Sequence, residues 1–86
     1  MKTITQINKE IKIIKETIEA HERTISGLEE GEGVEGTLRY LTLRANYLDI
    51  IGKKFKEIKI LEEEKRIVRM ENAIKKLEKM VKDETK

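Results

Sequence analysis

From Ile4 to Leu28 the residues Ile4, Ile7, Ile11, Ile14, Ile18, His21, Ile25 and Leu28 follow one another at alternating intervals of three and four. A helix places that spacing on a single side, and its mean of 3.5 residues matches the a and d positions of a coiled-coil heptad. The stripe persists for four heptads with one polar member, His21, and Ile13 widens it. Thr3 and Gln6 stand at the spacing of a capping box, in which each side chain satisfies a backbone N–H of the other. The pattern predicts a first helix over residues 3–29.

The stripe ends where glycines begin. Residues 30–36 read Glu-Gly-Glu-Gly-Val-Glu-Gly, and the backbone freedom of glycine opposes helix there. The letters spell G-x-G-x-x-G, but the dinucleotide motif follows a strand and offers N–H groups to a pyrophosphate. Here a helix precedes it, and Glu29, Glu30, Glu32 and Glu35 would repel phosphate. The segment is read as an acidic hairpin loop, with Thr37 as N-cap of a second helix over 37–83.

The second helix contains no Pro, and its apolar residues fall in two frames. Leu38, Leu41, Ala45, Leu48, Ile51 and Phe55 form the first. Ile60, Ile67, Met70, Ile74, Leu77 and Val81 form the second, offset by one residue. Gly52 stands at the start of the offset, and two architectures follow. One is a continuous helix with a bend allowed near Gly52. The other is a three-helix bundle broken there. A lone interior Gly costs about 1 kcal/mol against Ala, which a long helix tolerates, so the continuous form is favoured.

The fold class expected is therefore all-α: one domain over 1–86, an antiparallel helical hairpin with coiled-coil packing, its first helix short and its second long. Lengths give this a consequence. At 1.5 Å per residue the helices span roughly 40 and 70 Å, so the first covers the second only to about Glu63. Ile60, Ile67, Met70, Ile74, Leu77 and Val81 are the expected oligomerisation residues, and a homodimer is the favoured assembly.

Charged residues make up 42% of the chain and aromatics 3%, which suits a solvated helix surface rather than a sheet. No Cys is present, so disulfides and thiolate metal sites are excluded. The only histidine, His21, lies on the seam as a register-setting polar residue, with a pH switch as the sharper alternative. Ser26 is the only serine and lies about 140° around the helix from His21, so no nucleophile–base pair forms. No catalytic, cofactor or metal residues are expected, and the chain is read as non-enzymatic. Apolar runs fall well short of the roughly 20 residues that span a bilayer, no signal segment is legible, and the expected location is the cytoplasm.

Partner-binding candidates cluster on the second helix. Arg39, Arg44, Lys53, Lys54, Lys56 and Lys59 outnumber Asp49 and Glu57 between residues 37 and 60. Tyr40 and Tyr47, seven apart, share a face near Arg39 and Arg44, and Tyr and Arg are favoured at binding hot spots. The leading functional expectation is a protein–protein interaction module with an unidentified protein partner: an oligomeric adaptor, inhibitor or assembly factor. The alternatives are a nucleic-acid-associated regulator using residues 53–59 and a small-molecule-binding or sequestering bundle. A net charge of only +2 and the scarcity of aromatics weigh against nucleic acid.

Overall fold

The computed structural model describes residues 2–84. It consists of two helices, α1 (Ile4–Ser26) and α2 (Gly33–Glu84), lying side by side and connected by a short loop. The helices run antiparallel: His21, near the end of α1, meets Tyr47, whereas Ile7, near its start, shares a groove with Ile67 and Val68. The chain is a rod of 81 × 15 × 14 Å, close to the roughly 78 Å that the rise per residue gives for α2 alone. Its radius of gyration, 21.7 Å, compares with about 12 Å for a compact domain of this length.

The N-terminus of α1 forms as its sequence dictates. The Gln6 N–H donates to Thr3 Oγ1 at 3.2 Å and the Thr3 N–H donates to Gln6 Oε1 at 2.9 Å, closing the capping box. Just before it, Lys2 Nζ donates to Glu10 Oε2 at 2.9 Å. That hydrogen bond raises the Lys2 ammonium above its ordinary range, with Glu10 and Glu64 adding electrostatic support against the cost of desolvation. At the other end the Gly27 N–H donates to the Arg23 carbonyl and the Leu28 N–H to the Ile25 carbonyl. The helix thus stops at Ser26, three residues short of the expected 29.

The loop is shorter than the expected 30–36, because α2 begins at Gly33. Two glycine properties explain the correction. Gly33 has φ +76°, a left-handed conformation that side chains disfavour, and it turns the chain directly into the helix. Gly36 packs its α-carbon against the Gly31 backbone, where a methyl group would overlap the Gly31 Cα at 2.7 Å. Thr37 is therefore inside α2 rather than its N-cap. Its hydroxyl donates to Glu30 Oε1 at 2.9 Å and ties the loop to the helix.

Gly52 neither bends nor ends α2, so the three-helix bundle is excluded. Nothing lies within 4 Å of where its side chain would be, and the missing methyl group leaves open space rather than a kink. The helix continues because no proline, capping residue or inserted group interrupts its hydrogen bonds there.

The core is a single seam. Ile7, Ile11 and Ile18 of α1 and Ile51, Ile58, Leu61 and Val68 of α2 are buried, with Ile4, Ile14 and Ile25 packed against them. The α1 stripe is as expected. The α2 contribution is not the stripe read from its most obvious apolar spacing. Thr37, Tyr40, Tyr47, Ile51, Lys54, Ile58, Leu61, Lys65 and Val68 are buried or half-buried and keep one frame straight through Gly52, with Gly36, Glu64 and Glu71 half-buried beside it. Burial also reaches Val68, beyond the expected limit at Glu63, because α1 is displaced along α2: His21 stands beside Tyr47, so Ile7 arrives beside Ile67 and Val68.

Candidate interaction surfaces

Helix α2 has three apolar sides, and α1 occupies one. A helix turns about 100° per residue. Leu38, Leu41, Leu48 and Phe55 each follow a seam position by one residue and so lie on a flank. They are exposed to between 45% and 58% of their area, and Ala45 and Gly52 complete the strip. Ile60 and Ile67 precede the seam residues Leu61 and Val68 by one and line grooves with Ile14 and Ile7 of α1 on the other flank, whereas Met70, two residues past Val68, points away from α1. The one-residue offset in the sequence is thus a turn of the exposed stripe from one flank toward the other, not a break in the helix.

The expected oligomerisation residues are all present as exposed side chains. Ile60, Ile67, Met70, Ile74, Leu77 and Val81 retain 45–60% of their area. Of the first three, Ile60 and Ile67 border α1 and Met70 lies on the far side. The last three lie past Val68, where α1 has ended. Met80, at 59%, borders the same patch and went unread in the sequence because it falls outside the strict heptad. A shallow apolar groove runs along Ile74, Leu77 and Val81 between the stems of Glu78 and Lys82.

The basic candidates divide. Arg39, Lys53 and Lys56 point to the back of α2, Lys59 to a flank, and Arg44 is exposed at a seam position. Lys54 is half-buried toward α1 and pairs with Glu57 at 3.6 Å, while Lys53 pairs with Asp49 at 3.2 Å. The residues that look contiguous in sequence are distributed around the helix and do not form one cationic face. Tyr40 and Tyr47 are half-buried on the α1 side. The Tyr47 ring meets His21 at a centroid distance of 5.6 Å and a tilt of 45°. The two rings close the upper part of the seam, where aliphatic residues are sparse. His21 is half-buried in that contact.

Among the described residues no three His, Asp or Glu groups converge in a metal-binding arrangement, and no buried side-chain polar atom lacks a partner. No described helix is long and apolar enough to cross a membrane. The concave features are grooves beside the helix pair, among them one of about 350 Å³ lined by Lys2, Ile7, Glu64, Ile67 and Val68. Comparison of the chain with protein-family models, with curated proteins and with solved structures returned no match.

Proposed function

We propose that this chain is a non-enzymatic interaction protein that self-associates through the exposed C-terminal stripe of α2 and acts as an adaptor, inhibitor or assembly factor for a larger protein partner. The observation that carries the reading is surface area. The chain exposes 7307 Å², whereas a folded monomer of 10.1 kDa exposes about 5,300 Å². The excess of about 2,000 Å² is more than the roughly 800 Å² that each partner contributes to a standard interface. Much of it is aliphatic and aligned along one helix, the arrangement that a second helix covers best.

A homodimer covering Ile67 to Val81 leaves the flank strip of Leu38, Leu41, Leu48 and Phe55 for a different protein. The arginines beside it, Arg39 and Arg44, supply polar anchoring at its edge. The nucleic-acid reading loses ground because its cations are dispersed around α2 and two are already ion-paired. The small-molecule reading has only surface grooves to draw on, since a two-helix hairpin encloses nothing but its seam.

Sedimentation of the full chain at micromolar concentration tests the proposal. The expected species is a dimer, and the double substitution Ile74→Lys with Leu77→Lys should convert it to monomer while α1 stays packed. A wild-type chain that remains monomeric across this range overturns the reading.

A further inference from the structure

We infer that the second copy docks in parallel and in register, so that residues 67–81 of two α2 helices form a two-stranded coiled coil with the hairpin loops pointing the same way. This rests on the self-association proposed above and adds its direction and strand number. Two independent features of the exposed stripe point to it.

The first is the shape of the side chains. Ile60, Ile67, Ile74 and Val81 recur every seven residues and define position a of the exposed stripe. Met70 and Leu77 define position d. β-Branched residues at a with Leu at d is the combination that favours parallel pairs over trimers and tetramers. Glu63 and Glu84 occupy d at either end and limit the dry seam to Ile67–Val81, a length of about 21 Å.

The second is charge. On one edge of the stripe, immediately before Ile60 and Ile67, stand Lys59 and Arg66, and the neutral Ala73 and Met80 precede Ile74 and Val81. On the other edge, immediately after each d position, stand Glu64, Glu71 and Glu78. Parallel helices bring the first edge of one copy against the second edge of the other, five residues further along. Arg66 then faces the second copy's Glu71, while Glu64 stays in its groove beside Lys2 and Ile7. Antiparallel helices bring like edges together, basic against basic and acidic against acidic. The existing partners do not compete strongly: Arg66 reaches Glu63 only at 4.0 Å, with both side chains more than 60% exposed. The face is open from Met70 onward, past the end of the buried seam at Val68, while Ile67 borders the groove that it shares with Ile7 and Lys2.

The absence of native cysteine makes the geometry directly testable in the full chain. Val81→Cys places one thiol at position a. In a parallel pair the two thiols meet across the seam within disulfide reach, an α-carbon separation of about 6 Å. In an antiparallel pair centred on residue 74 they lie about 21 Å apart. Mild oxidation should give a covalent dimer from Val81→Cys and none from Lys79→Cys, which faces outward. In parallel with this, Glu71→Arg should weaken the dimer about 3- to 10-fold, and adding Arg66→Glu should restore it. Circular dichroism of each variant confirms that helix is retained. A dimer that fails to cross-link at residue 81 and is indifferent to Glu71→Arg overturns the parallel arrangement while self-association stands. A wild-type chain that stays monomeric overturns both.

Discussion

Helix α2 contains two stretches of similar composition with opposite fates. Between Tyr40 and Val68 it lies beside α1, and its inward residues fall to 7–8% exposure at Ile51, Ile58, Leu61 and Val68. From residue 72 to Glu84 the same kind of aliphatic side chain, at the same spacing, keeps more than half its area in water at Ile74, Leu77, Met80 and Val81. The seam frame that is aliphatic up to Val68 continues as Asn72, Lys75, Lys79 and Lys82, while the aliphatic residues move to another face. The apolar seam and the 23-residue α1 therefore end together. A long helix beside a short one therefore divides one helix into a structural part and a surface for others.

The two stretches therefore respond differently to the same kind of change. The largest effect belongs to Ile7→Ala. Ile7 is fully buried, and truncating it should cost about 2–5 kcal/mol in chemical denaturation. The matching change Ile74→Ala should leave the denaturation midpoint of dilute protein in place and act only on the concentration dependence of melting, because Ile74 has no covering helix in the monomer. Equal losses at both sites would erase the distinction.

Glycine replacements sharpen the contrast at the next level. Gly36→Ala forces a methyl group into the Gly31 backbone and should destabilise the hairpin by about 1–3 kcal/mol. Gly52→Ala, by contrast, fills open space on a helix surface and should stabilise by about 1 kcal/mol, read as a raised thermal midpoint. A loss at position 52 would mean that the glycine is needed for close approach of another helix to the flank strip. The smallest effect is expected at Lys2→Met. The Lys2–Glu10 ion pair is exposed, so its removal should leave the melting temperature unchanged within error at physiological salt. The raised Lys2 ionisation implies a contribution present below its unfolded value and lost only as pH rises through the folded one.

The first helix was legible almost residue by residue because its aliphatic residues occupy one side only. Ile7, Ile11 and Ile18 are buried where their spacing puts them, and Thr3 and Gln6 form the cap that their letters imply. The second helix was legible as a helix but not as a set of faces. Its most conspicuous spacings, from Leu38 and from Ile60, are those left in solvent. The spacing that faces α1 was obscured because polar residues interrupt it at Arg44, Lys54 and Lys65. One signal was available: Tyr40, Tyr47, Leu61 and Val68 share a seven-residue frame with each other, and Ile51 and Ile58 continue it without the offset that affects the other two stripes. Tyr40 and Tyr47 illustrate the same difficulty, since an aromatic pair on a helix reads equally well as a hot spot or as packing until a neighbour is placed beside it.

Sequence alone determined that the chain is helical, that it folds back once at its glycine-rich segment, and that its second arm outreaches its first. Those are local properties, set by turn residues, spacing and rise per residue. Tertiary structure decided which side of α2 meets α1, how far along α1 reaches, and that Gly52 lies on an open surface. The reason is geometric. A helix with apolar residues on three sides has no single preferred inward face, and the choice is made only by the angle and register at which the loop delivers the neighbouring helix.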